Sequence, residues 1–198
     1  MNHAATLTGD RLRPLAVWLL LIGCLPLMGG KQPEEYLDEE TAATVTVVGE
    51  PLVFANPRRD LAANARDYVT MAAAAVDRAG KVSYVLITYI WSTVDPALRQ
   101  DALPAPAALI VQADDRRIEF HLDGPTAHES GIGRPVHAPP ASAAVPNVYH
   151  TDLATLRFLA EARHLKVLPP NDSPLPAYEL WDDQRTALRA FVRRMGGD

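Results

Sequence analysis

The 198-residue sequence contains a single cysteine, Cys24, so no internal disulfide can brace the fold. It also lacks a run long enough to stay in a membrane as a helix. The apolar stretch from Leu15 to Ile22 is closed by Gly23, Cys24 and Pro26, well short of the roughly 20 residues that span a bilayer. Positive charge is scarce: 19 Lys and Arg against 24 Asp and Glu leave a net charge of −5, a mildly acidic balance that makes a poor nucleic-acid binder. No G-x-S-x-G elbow, no H-x-x-x-H pair, no repeat period and no coiled-coil heptad is present. The hydrolase, zinc and coiled-coil classes that announce themselves by such spacing therefore find no support.

What the first residues do contain is ordered. Arg11 and Arg13 precede the apolar run, the charge-then-apolar order of a secretory signal peptide. Leu21-Ile22-Gly23-Cys24 then resembles the lipobox of bacterial lipoproteins. That resemblance implies that the Cys24 thiol takes a diacylglyceryl group with palmitate-like chains and that cleavage after Gly23 leaves the modified cysteine as the new N-terminus. The alternative peptidase site fails nearby, because Met28-Gly29-Gly30 sets a bulky Met28 where a small residue is needed. Lipidation also removes a thiol that would be a liability in an oxidising compartment. Leu25 stands where an aspartate would signal inner-membrane retention, so the expected address is the cell envelope, facing the periplasm, with the outer membrane favoured over the inner.

The expected organisation is a signal peptide over 1–23, a lipidated N-terminus and polar tether over 24–35, and one domain over 36–198, long enough to bury a real core. Within it, alternating β-branched residues predict strands near Ala43 to Val48 and Leu52 to Phe54. Two long apolar runs, Tyr68 to Val76 and Val82 to Trp91, flank Asp77-Arg78-Ala79-Gly80-Lys81 and predict a hairpin. Leu109 to Val111 and Arg116 to Asp123 predict a second, the latter strand alternating Ile118, Phe120 and Leu122 with polar neighbours. Residues 124–147 have no periodicity and read as a loop that is functional or disordered. A helix capped by Thr151 or Asp152, strands at Leu165 to Leu168 and Tyr178 to Trp181, and a last helix bearing Leu188, Phe191, Val192 and Met195 complete the chain. The class is α+β: an antiparallel sheet built from hairpins, with two helices in the C-terminal half.

Several groups merit a functional reading. Tyr84, Tyr89 and Trp91 on the second apolar run form a candidate ligand groove, although aromatics are also ordinary sheet-core residues. His128, His137 and His150, in or beside the loop, are the histidines a metal-assisted hydrolase would use, but they lack close metal-ligand spacing, and no cofactor or metal is expected. His128-Glu129-Ser130 sets a serine next to a histidine, an adjacency that is not a catalytic triad. Arg185, Arg189 and Arg193 make a thin basic stripe that either meets anionic head groups or is simply solvated.

Tyr36 to Val48, Pro51 to Ala55 and Tyr89 to Asp95 resemble a family of uncharacterised proteobacterial lipoproteins, over most of the mature chain. The resemblance implies a location and transfers no activity. The expected function is thus a non-enzymatic binding or structural accessory in the envelope, with the membrane as one partner through Cys24 and an envelope protein as another. The alternatives are a small-ligand or lipid-binding module that uses the aromatic strand and the loop as its lid, and, behind it, the metal-dependent hydrolase.

Overall fold

The computed structural model describes residues 31–95, 97, 108–122, 126–138, 141, 144, 146–169 and 175–197. The segment expected to be a signal peptide, residues 1–23 with Leu21, Ile22 and Gly23, and the expected lipidation site Cys24 lie outside the described residues.

The elements run β1 (Glu34–Asp38), β2 (Ala43–Val47), β3 (Leu52–Pro57), β4 (Arg66–Arg78), β5 (Lys81–Ser92), β6 (Ala108–Ala113), β7 (Arg116–His121), β8 (Pro146–Thr151), α1 (Leu153–Glu161), β9 (Leu165–Leu168), β10 (Tyr178–Asp182) and α2 (Arg185–Gly196). This is the expected α+β fold, an antiparallel sheet built from hairpins with two C-terminal helices.

The β4–β5 hairpin is its spine. Ala79 and Gly80, both at positive φ, make the two-residue turn whose twist matches that of the strands. Twelve residue pairs then zip from Arg78–Lys81 to Asp67–Ser92. Four successive alanines, Ala72 to Ala75, favour helix by a few tenths of a kcal/mol each. Here they are strand because both faces of β4 are covered and both of its edges are paired. β2 and β3 share one edge of β4 end to end, β2 against Ala74 to Asp77 and β3 against Arg66 to Met71. From β3 the sheet continues through β10, β9, β6 and β7, and from β5 it continues to β8. β7 comes back beside β8, so the sheet curls most of the way round.

Inside the curl lie α1 and α2. Leu156, Leu159, Leu188 and Phe191 pack with Phe54, Met71, Leu86, Val111, Tyr149 and Tyr178 into the larger core. Each such fully buried side chain contributes about 1.5–3 kcal/mol. Asp152 caps α1 by accepting the Thr155 N–H at 2.7 Å. At the other end of α1, Arg185 donates to the carbonyls of Ala162 and Arg163, the latter at 3.0 Å. The same arginine pairs with Asp183, and Arg189 lies 3.6 Å from Glu161. Two of the three arginines in the basic stripe therefore hold the helices together, and Arg193 is exposed.

Two elements differ from expectation. β1 begins at Glu34, inside the segment expected to be a tether, and the backbone is already packed three residues earlier: a Cβ on Gly49 would collide with the Lys31 carbonyl oxygen. Its acidic residues sit on a strand with a single ladder, against β2, where polar side chains are tolerated. β8 starts at Pro146, within the last two positions of the expected loop, and runs on to Thr151, with only Val148 and Tyr149 carrying apolar character.

Candidate functional site

Strand parity divides β5 into two faces. Tyr84, Leu86 and Ile90 point to the helices, and Val85, Ile87, Tyr89 and Trp91 point the other way. The three aromatics of the expected groove consequently do not share a wall. Tyr84 packs against the helix-side core, while Tyr89 and Trp91 lie on the opposite face. Trp91 stacks on Tyr68 with ring centres 4.2 Å apart and donates its indole N–H to Thr70 Oγ1 at 3.1 Å. Trp181, largely exposed on β10, meets the edge of Tyr68, and the Arg66 guanidinium covers its ring at 4.7 Å.

Residues 126–138, part of the stretch read as an aperiodic loop, form a second layer over this face. Ala43, Val45 and Val47 of β2, Ala74 and Val76 of β4, Val85, Ile87 and Tyr89 of β5, and Val148 of β8 are buried together with Ile132. The segment is fixed by polar contacts along its length. Arg78 Nη1 donates to the Glu129 carbonyl at 2.9 Å, Thr41 Oγ1 donates to the Gly131 carbonyl at 2.9 Å, and the Gly133 N–H reaches Asp38 Oδ2 at 2.8 Å. Within the turn, Glu129 accepts the Thr126 N–H and hydroxyl at 2.8 and 2.9 Å, and Ser130 is buried. Gly131 has φ +95°, and a Cβ there would stand 2.6 Å from Val76 Cγ1. Only glycine lets the segment approach the sheet so closely.

Asp38 is the buried anchor of this arrangement. Burial raises its pKa, but the backbone N–H groups of Gly133, Thr41 and Glu40 together outweigh that and hold it below the ordinary carboxylate value. A depressed folded-state pKa contributes stability that is fully present above the unfolded value of about 3.9 and is lost as pH falls through the lower folded value. The Gly133 amide resonance is expected to titrate with a midpoint below 3.9 and to move toward its undocked position on the acid side. A midpoint at the ordinary value, or no titration, would show that Asp38 does not hold the segment.

Between this layer and the sheet is a largely apolar cavity of about 200 Å³. Ile87, Tyr89, Ile132, Val136 and Pro146 line it, with His128, Gly133 and Arg134 among its polar neighbours. Tyr89 is only 2 % exposed, and its hydroxyl is buried with no hydrogen-bond partner among the described residues. A larger cleft of about 450 Å³, near Asp114, Arg163, His164 and Lys166, is open and polar. The Asp114 carboxylate is already occupied there, accepting the N–H groups of His164 at 2.8 Å and Arg163 at 3.0 Å.

The structure does not bring the loop histidines together. His128 lies exposed, 3.4 Å from Glu40; His137 is half-buried beside the Val48 backbone, with burial lowering its pKa; and His150 is exposed on β8. Among the described residues no three His, Cys, Asp or Glu side chains converge as metal ligands. Tyr89 was legible in the sequence as an aromatic on a central strand, but its covering by Ile132 and Val136, more than 40 positions away, carries no periodic signal. No family model matches the chain, and no curated protein or solved structure is significantly similar to it.

Proposed function

We propose that the chain is a membrane-anchored bacterial lipoprotein of the cell envelope whose domain binds a partner or ligand without transforming it. The observation that carries this reading is the lipobox-like Leu21-Ile22-Gly23-Cys24, followed after only six residues, Leu25 to Gly30, by chain already packed on the domain at Lys31. The seven Cα–Cα steps from Cys24 to Lys31 reach at most about 25 Å. A lipid on Cys24 thus keeps the domain against the bilayer on the periplasmic side, most simply at the outer membrane, where an envelope protein would be the partner. Two or three acyl chains, each buried CH₂ contributing about 0.8 kcal/mol, make such an anchor effectively permanent.

Binding is favoured over chemistry because the polar side chains at the covering layer are committed to fixing it: Glu129 within the layer to Thr126, and from the sheet Asp38 to the Gly133 N–H and Arg78 to the Glu129 carbonyl. Cys24→Ser is expected to move the protein out of the membrane fraction while the circular dichroism of the domain stays unchanged. A Cys24→Ser protein that still fractionates with membranes overturns the reading. A second reading, a small-ligand module, is favoured by the cavity at Tyr89, with the covering layer as its lid.

A further inference from the structure

We infer that the open cleft on β6, β9 and β10 binds a small zwitterion of the α-amino acid class, with its carboxylate on Lys166 and its ammonium on Glu179. The inference does not depend on the lipid anchor or on the cavity at Tyr89, so its failure leaves both untouched.

Strand register builds the site. Gln112 of β6 stands opposite Lys166 of β9, and Lys166 stands opposite Glu179 of β10. Side chains in one such row share a face of the sheet. Their chain neighbours Val111, Val167 and Tyr178 pack in the helix-side core, so the row points away from the helices. All three side chains line the cleft of about 450 Å³, a volume within the roughly 300–1,000 Å³ of small-molecule sites. The ladder between β9 and β10 ends there after two pairs, Tyr178–Val167 and Glu179–Lys166, and the cleft opens beside Leu165 and Leu180, beyond the last pair.

Charge selects the ligand. Asp114 accepts the backbone N–H groups of Arg163 and His164 at 3.0 and 2.8 Å, and the Arg163 charge offsets its own. Lys166 and Glu179 remain. As direct cross-strand neighbours they have Cβ atoms about 5 Å apart, yet neither side chain has an ion-pair or hydrogen-bond partner among the described residues. An accessible pair of this kind gains little by closing on itself. A cation and an anion held side by side match a molecule that carries the opposite charges on neighbouring atoms, as the α-carboxylate and α-ammonium of an amino acid do. Gln112 donates its Nε2 to the Asp114 carbonyl at 3.3 Å, which leaves its Oε1 as a further acceptor for the ammonium.

L-Glutamine carries both charges, N-acetyl-L-glutamine the carboxylate alone and L-glutaminamide the ammonium alone. Because the cleft is open, it recognises the charged end and does not enclose the side chain. Titrated into the full chain near neutral pH, L-glutamine is expected to give saturable amide shifts at Gln112, Lys166 and Glu179, and each single-charge probe to bind at least about tenfold more weakly. Glu179→Gln is expected to weaken L-glutamine about tenfold, to the level of N-acetyl-L-glutamine on the unmodified protein. Lys166→Met is expected to weaken it about tenfold, to the level of L-glutaminamide. Absence of saturable shifts with L-glutamine overturns the inference. Single-charge probes that bind as tightly as L-glutamine, or variants that bind it unchanged, overturn the ligand class. Saturable shifts confined to another part of the molecule overturn the location.

Discussion

Asp67→Ala is expected to cost about 3–5 kcal/mol and to lower the thermal midpoint by roughly 10 °C or more. Asp67 is fully buried and accepts from Arg58 Nη1 at 2.7 Å, and the Arg58 side chain is itself only 4 % exposed. Asp60 holds the other edge of the same guanidinium, at 3.1 and 2.7 Å, from a largely exposed position. This pairing closes the connection between β3 and β4, where the chain turns from Pro57 back to Arg66. Removing Asp67 takes away the buried carboxylate that faces the interior Arg58 cation, while Asp60 meets it from the solvent side, and the desolvation cost then falls on the native state alone. Asp60→Ala, by contrast, removes a screened, exposed charge and is expected to cost less than about 1 kcal/mol. A double variant, Arg58→Met with Asp67→Leu, is expected to recover most of the loss, because a buried ion pair contributes little net stability over apolar residues of similar volume. Thermal unfolding followed by circular dichroism separates the three, and equal small shifts for Asp67→Ala and Asp60→Ala would contradict this account of the pair.

Ile132→Asp is expected to detach the covering layer while leaving the sheet folded. Ile132 is 4 % exposed and is the side chain that the layer inserts among Val45, Val76, Val85 and Ile87. An unpaired carboxylate in that position opposes docking by at least about 3 kcal/mol, which corresponds to an open population raised roughly a hundredfold. Cleavage after Glu129 by a glutamate-specific protease tracks that population when opening and closing are fast. The rate is therefore expected to rise about a hundredfold, with far-ultraviolet circular dichroism retained. The main core is spared because α1 and α2 pack on the other face of β4 and β5. Unchanged cleavage would mean that Ile132 does not hold the layer, and loss of the circular dichroism signal would mean that the two layers fold as one.

The parts of the fold legible in the sequence are those whose information is local. The β4–β5 hairpin is marked by its Ala79-Gly80 turn, β7 by strict alternation around Ile118 and Phe120, and α2 by Leu188, Phe191, Val192 and Met195. β1 and β8 were hidden for a physical reason: each has few apolar residues and owes its conformation to a partner strand, β2 and β5 respectively. The covering layer is the extreme case, since Gly133 is fixed by Asp38, 95 positions away, and Gly131 by Thr41, 90 positions away. Such contacts leave no period to read. In the candidate site the period-two rule separates Tyr84 from Tyr89 and Trp91, and that part was available from the sequence. The cavity depends on what covers Tyr89, and that was not.

The two ends of the proposal meet at Lys31. Under that proposal, a domain packed from Lys31 onward, with six residues between it and a lipid-bearing Cys24, would stay at the membrane surface whatever it binds. The mass of the intact mature protein, isolated from membranes with its N-terminal peptide sequenced by fragmentation, tests this most directly. The account predicts a chain that begins at Cys24 and carries a diacylglyceryl group on that cysteine. A chain that begins elsewhere, or that begins at Cys24 with a free thiol, would contradict it.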